Sequence, residues 1–273
     1  MLIRVGFDIA YDCPTSTPMM LMLSIRPELN DRLVTPQAIT TSTGAPLHSF
    51  CDDFGNICSR ITAPPGEIAF RADFIIENSG EPDPVALDAQ QHAVEDLPDH
   101  VLTYLLGSRY CDTQHLVDLA WAEFGATPLG WRRVQAIVDY AHQRIRFDYQ
   151  NARPTRTGSE AHQEQVGVCR DFAHLAITLC RCMNIPARYC TGYLGDIGID
   201  PLPGPMDFSA WFEAFLDGRW WTFDARHNRP RIGRIPMAYG RDAVDVAIAT
   251  TYGPAVLTRF DVIAEEYAGA PAR

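Results

Sequence analysis

The dipeptide Asp217-Gly218 stands between two runs rich in aromatic residues, FSAWFEAFL before it and RWWTFDA after it. Asp-Gly suits the two positive-φ positions of a tight turn, so the flanking runs must fold back on each other as a two-residue β-hairpin. The hairpin sets a register. Trp211 falls opposite Asp224, and Ser209 lies diagonal to that carboxylate on the same face, because side chains alternate with period two.

The pattern upstream of the hairpin changes twice. Residues 1 to about 80 hold short apolar runs, VGFDIAYD, MMLMLSIRP and AFRADFIIEN, broken by Pro14, Pro18, Pro27, Pro36, Pro46 and Pro64-Pro65-Gly66. Such regular punctuation predicts a small β-sandwich, with Asp53-Phe54-Gly55-Asn56 as one of its turns. Residues 79–90, SGEPDPVALDAQ, read as a linker. Helical spacing follows. Thr113 is placed to cap a helix carrying Leu116, Val117, Ala120 and Phe124, and Thr127-Pro128 to open one with Trp131, Val134, Val138, Ala141 and Ile145 on its apolar face. A third helix, from about Cys169 to Asn184, confines its polar residues to a narrow stripe, so it is buried on most sides. After Pro186 the strand ARYCTGYL leads to the hairpin, and residues 230–273 show no distinctive pattern. The expected fold is α+β: an N-terminal β-sandwich over 1–85, then over 86–273 a core of helices packed on an antiparallel sheet.

Charge narrows the partners. With 34 acidic against 23 basic residues the net charge is −11, which argues against nucleic acid, because neutralising phosphates requires clustered Lys and Arg. The opening residues MLIRVGFDIAYDC carry Arg4 and Asp8 within a strand-like alternation, unlike the apolar centre of a signal peptide. No stretch approaches the roughly 18 uncharged apolar residues of a membrane span. A cytoplasmic protein with no membrane partner is expected, its eight cysteines reduced. Cys180-Arg181-Cys182 does not read as a metal site, since residues two apart on a helix point about 200° from each other. No metal or cofactor is called for.

The segment Gly167-Val168-Cys169-Arg170-Asp171-Phe172-Ala173-His174 carries the chemistry. A glycine before a buried helix permits a sharp turn, and Cys169 then sits among the unpaired N–H groups of the helix start. The helix dipole there is expected to lower the thiol pKa, and the same N–H groups suit an oxyanion. Arg170 beside Asp171 reads as a solvated ion pair. Arg226, Arg229, Arg231 and Arg234 read as one rim of a cleft, or else as an exposed basic loop.

VGVCRDFAHLAITLCRCMNIPARYCTGYL followed by AWFEAFLDGRWWTFDARHN resembles the transglutaminase-like family of bacterial cysteine hydrolases, and the front segment resembles the β-domain often attached to it. The resemblance covers nearly the whole chain and implies a papain-like triad, with Cys169 as nucleophile and Asp224 as orienting carboxylate. The family's histidine usually stands two residues before the hairpin tryptophan. Here that position is Ser209, whose hydroxyl cannot take a proton at neutral pH as imidazole does. Three readings stay open: His227 takes over as base; His174, five residues along the helix, assists; or the protein binds a peptide or protein partner without turning it over. The first gives the triad Cys169, Asp224 and His227, and the implied activity is cleavage of a peptide or isopeptide bond in a peptide or protein substrate through a Cys thioester. Amine transfer is the alternative.

Overall fold

In the computed structural model, which describes residues 1–201 and 204–269, the front of the chain forms six strands. These are β1 (Leu2–Cys13), β2 (Thr17–Leu21), β3 (Thr40–Thr41), β4 (His48–Cys51), β5 (Ile57–Ala63) and β6 (Gly66–Glu77). Along β1 every second residue from Ile3 through Val5 and Phe7 to Ile9 is buried. That face joins Met19 and Leu21 of β2 and Phe70, Phe74 and Ile76 of β6 in one apolar cluster, as a half-buried strand with period two requires. The turn between β4 and β5 is the predicted one: the Asp52 carboxylate accepts from the N–H groups of Phe54 and Asn56 at 2.9 and 2.8 Å, and Gly55 takes φ 74°.

Helices then alternate with short strands: α1 (Asp99–Leu102), α2 (Val117–Phe124), α3 (Trp131–Arg144), β7 (Arg146–Phe147), α4 (Gly158–Glu164), β8 (Val166–Gly167) and α5 (Cys169–Cys182). Two helix starts differ from expectation. Residues 113–115 form a 3-10 turn and α2 begins after Leu116 without a side-chain cap. α3 begins after Gly130, not at Pro128, because Gly130 at φ 81° brings the chain against Ala89, whose carbonyl accepts the Trp131 N–H at 2.9 Å. A Cβ on Gly130 would lie 2.1 Å from that oxygen, so only glycine fits.

The hairpin forms as predicted. β10 (Ser209–Leu216) and β11 (Arg219–Phe223) pair from Leu216–Arg219 to Phe212–Phe223 around Asp217 and Gly218, both at positive φ. With β9 (Ala187–Tyr193) and β12 (Ile235–Gly240) they make a sheet ordered β11-β10-β9-β12. Phe212, Ala214 and Leu216 of β10 share an apolar cluster with Phe172, Ala176 and Leu179 of α5, so the helix lies against the sheet. The polar stripe of α5 is buried too. Asp171, His174 and Thr178 are fully enclosed, and Arg181 is satisfied by the carbonyls of Leu106, Ala187 and Arg241.

The division at residue 85/86 needs correction at the far end of the chain. β13 (Ala249–Thr251) pairs with β2, and β14 (Val256–Glu266) pairs with β1 from Ile3–Glu266 to Asp12–Val256. The two front sheets therefore read β14-β1-β6-β3 and β13-β2-β5-β4. β14 turns Val262 and Ala264 into the sandwich cluster, which is why this stretch leaves the core and completes the front sheets. Among the described residues no helix is long and apolar enough to cross a membrane.

Candidate active site

Three elements meet at the site, and the start of α5 is the most constrained. β8 pairs in parallel with β7 through Phe147–Gly167, and the chain then turns into the helix. The Val168 N–H donates to Asp171 Oδ2 at 2.8 Å, and the same oxygen accepts from Arg156 Nη1 at 2.9 Å. Asp171 is fully buried, and its nearest charge is Arg156; Arg170 Nε stands 3.9 Å from the carboxylate. The expected solvated Arg170–Asp171 pair is thus replaced by a buried Arg156–Asp171 pair. Glycine at 167 follows, since a Cβ there would lie 2.6 Å from both Asp171 Cβ and Oδ2.

Cys169, the first residue of α5, is half-buried and carries a free thiol, as do all eight cysteines. Burial pushes that thiol up to about 11, against the pull of the Arg226 guanidinium and a hydrogen bond from the Ala210 backbone, while Asp207 and Asp224 add to the rise. This reverses the lowering expected from the helix start. At neutral pH the resting thiol keeps its proton.

The carboxylate stands one residue beyond the last ladder pair, Phe212–Phe223, where the register extended by one step sets it opposite Trp211. There the backbone curls: Asp224 Oδ1 accepts from the N–H groups of Arg226 and His227, both at 3.0 Å, and the Asn228 N–H closes on the Asp224 carbonyl at 2.8 Å. The curl brings the His227 ring over the carboxylate, with Nδ1 2.9 Å from Oδ2. A carboxylate only accepts, so Nδ1 carries a proton, and in the neutral ring Nε2 presents a lone pair. That Nε2 is buried and has no hydrogen-bond partner among the described residues. Oδ2 also accepts from Arg234 Nη2 at 2.8 Å. Burial raises the Asp224 pKa, but Arg234 and His227 outweigh it and hold the carboxyl far below the usual carboxylate range.

Asp224 and His227 are therefore joined directly, and Cys169 lies within electrostatic reach of Asp224, Arg226 and Asp207. No hydrogen bond closes between the thiol and His227 among the described residues. His227 and Ser209 line one cleft with Tyr149, Asp207, Arg226 and Arg231. His174 is held elsewhere. Its ring stacks on Tyr110 at 5.1 Å, its Nε2 accepts from the Ala243 N–H at 3.1 Å, and burial together with Arg170 and Arg181 drives its pKa well below the ordinary value.

The four arginines after Asp224 do not act as one rim. Arg226 stacks on Phe147 at 3.9 Å and faces the cleft, whereas Arg231 and Arg234 are buried and Arg229 is exposed. Asp83 and Asp207 were not legible in the sequence as site residues, and Arg234, expected on the cleft rim or in an exposed loop, is instead the buried partner of Asp224. Asp83 sits in the acidic, turn-rich linker, and only its pairing with distant Arg234 distinguishes it from ordinary surface acid. Among the described residues no three His, Cys, Asp or Glu side chains converge as a metal-ligand set.

A model of the transglutaminase-like superfamily core matches residues 119–225, a stretch that takes in Cys169 and Asp224 and stops two residues short of His227. An uncharacterized protein of Mycobacterium leprae is 35% identical over 114 residues. That match covers 40% of this chain and 40% of the relative, so the chain spans well under half the length of that protein. Among solved structures, a candidate cysteine protease from Cytophaga hutchinsonii superimposes with a TM-score of 0.85 at 28% identity, covering 99% of this chain and 93% of that one.

Proposed function

Since residues 119–225 match the core of the transglutaminase-like superfamily, we propose that the chain is a cysteine peptidase or amidase with Cys169 as nucleophile, His227 as general base and Asp224 orienting the ring. The observation that carries this reading is the 2.9 Å Asp224–His227 hydrogen bond, which uses Nδ1 and leaves Nε2 without a partner on a residue that lines the cleft. A thiol that holds its proton at neutral pH needs such a base at the moment of attack. In the first step the thiol proton passes to His227 Nε2 as the sulfur–carbon bond forms on an amide carbonyl. N–H groups left unpaired at the start of α5 would meet the oxyanion. The imidazolium then gives the proton to the leaving nitrogen, the carbon–nitrogen bond breaks, and a thioester remains. Water, deprotonated by His227, releases the carboxylic acid and restores the thiol. An amine in place of water would transfer the acyl group.

Burst kinetics with p-nitrophenyl acetate test this reading. Wild type is expected to release about one equivalent of nitrophenolate per chain, Cys169→Ala none, and His227→Ala to acylate roughly 10² to 10⁴ times more slowly, the usual worth of general base help. Exposed Cys51 supplies the reference thiol within the same chain. Acetylation of Cys169 no faster than that of Cys51 would overturn the assignment and favour a cleft that only binds its partner.

A further inference from the structure

The linker is tied to the site by charge. Asp83 Oδ2 accepts from Arg234 Nε at 2.8 Å, Arg234 Nη2 reaches Asp224 Oδ2 at 2.8 Å, and Asp224 Oδ2 takes His227 Nδ1 at 2.9 Å. The four side chains form one unbroken row, from 14% exposed at Asp83 through 7% at Arg234 and 3% at Asp224 to 9% at His227. The linker backbone holds its end in place. The Asp83 N–H donates to the Arg231 carbonyl at 2.9 Å, the Arg231 N–H returns a bond to Asp83 Oδ2 at 2.9 Å, and Pro82 bridges to Ile232.

We infer that Asp83 is a positioning residue that acts through Arg234 and Asp224 to set how readily His227 takes a proton. The argument is a charge balance. Arg234 alone would neutralise Asp224 and leave a proton on His227 uncompensated in a buried place. With Asp83 opposite, the row carries one net negative charge while the imidazole is neutral, and none once it is protonated. Asp83 thus keeps Asp224 able to stabilise imidazolium, the state that follows attack by the thiol.

Other charged and titratable groups face the ring from each element packed on it. Those that line the cleft with it are Tyr149 after β7, Asp196 after β9, Asp207 ahead of β10, and Arg226 and Arg231 after β11. Asp83 differs from these in lying outside the cleft, on the far side of Arg234, so its charge can be removed without touching the surface a substrate would meet.

The inference rests on the reading of His227 as base, and its test is read without any reaction. NMR titration of the His227 ring in the full chain reports its protonation directly. Asp83→Asn is expected to shift the midpoint down by about one pH unit, the order expected for one nearby charge at an effective dielectric of about 20. Arg234→Gln is expected to shift it up, and the double variant Asp83→Asn/Arg234→Gln to return it toward wild type, because the row then again carries one negative charge. If Asp83→Asn alone fails to fold, the Arg234→Gln and double variants carry the comparison. An unmoved midpoint in the single variants, or a double variant that does not return, overturns the role of Asp83 while leaving the acylation burst intact. A wild-type protein with no burst but with a ring titration that follows these charges overturns the proposed activity instead.

Discussion

Replacing Asp224 by Asn separates the architectural from the chemical part of this carboxylate. The side chain keeps its size, but a single amide cannot accept at both oxygens. If the amide oxygen keeps the Arg226 and His227 N–H groups, the NH₂ faces Arg234 Nη2 and His227 Nδ1–H, which are both donors. Asp224 and Arg234 are 3% and 7% exposed, so solvent does little to screen the loss. Removing one partner of a buried, hydrogen-bonded ion pair costs about 3–5 kcal/mol, which is the loss expected at pH 7 in urea unfolding followed by tryptophan fluorescence. The pH dependence gives a sharper check. The Asp224 pKa is held far below its unfolded value, so its stabilisation is complete above the unfolded pKa of about 3.9 and fades as pH falls below it, by about 1.4 kcal/mol per unit. The gap between wild type and Asp224→Asn is therefore expected to narrow by about 1 kcal/mol between pH 4 and pH 3, where the unfolded carboxyl takes up its proton. A gap under about 1 kcal/mol at pH 7, or one flat across that window, would refute the account of Asp224 as an ionised, buried anchor.

Three further outcomes are expected. Gly167→Ala must push Asp171 off Arg156 and the Val168 N–H, so overpacking of about 1–3 kcal/mol is expected in thermal unfolding, together with slower acylation of Cys169. Wild-type stability in its place would mean that Asp171 moves freely. Ser209→Ala is expected to change the p-nitrophenyl acetate burst rate by less than about threefold, since a hydroxyl supplies no base at neutral pH; a drop of about 10² would make Ser209 a participant. His174→Phe leaves the Ala243 N–H unpaired and should cost about 1–3 kcal/mol at pH 7. Because the folded His174 pKa is depressed, wild type loses stability as pH falls below about 6.5, at about 1.4 kcal/mol per unit, and the variant should lack this slope in urea titrations.

The parts of the molecule legible in the sequence were those set by local rules. Asp217-Gly218 dictated a turn whose register carries Asp224 to its place, and the glycine before Cys169 marked the start of the central helix. Long-range pairing was not legible. Val256–Glu266 alternates apolar and polar residues like many surface strands, and nothing in it names β1 as its partner some 250 residues upstream. The thiol shows a different limit: the helix start was correctly read, yet burial of the sulfur, which depends on residues distant in sequence, pushes its pKa up. Asp171 misled for the same reason, since its neighbour in sequence is Arg170 whereas its partner in space is Arg156.

The pairing of β1 with β14 also governs how the protein can be made. β1 lies between β14 and β6, so the edge that β14 covers stays open until residues 256–266 have been synthesised. Contacts of such long sequence separation form slowly, and an open strand with alternating apolar residues is a template for pairing with another molecule. The helical core has no such wait, because its central helix and hairpin are close in sequence. During synthesis the part carrying the thiol should therefore close before the part that precedes it. A nascent or truncated chain ending near residue 245 would hold a formed core beside an adhesive strand, which makes chaperone capture or self-association its expected fate.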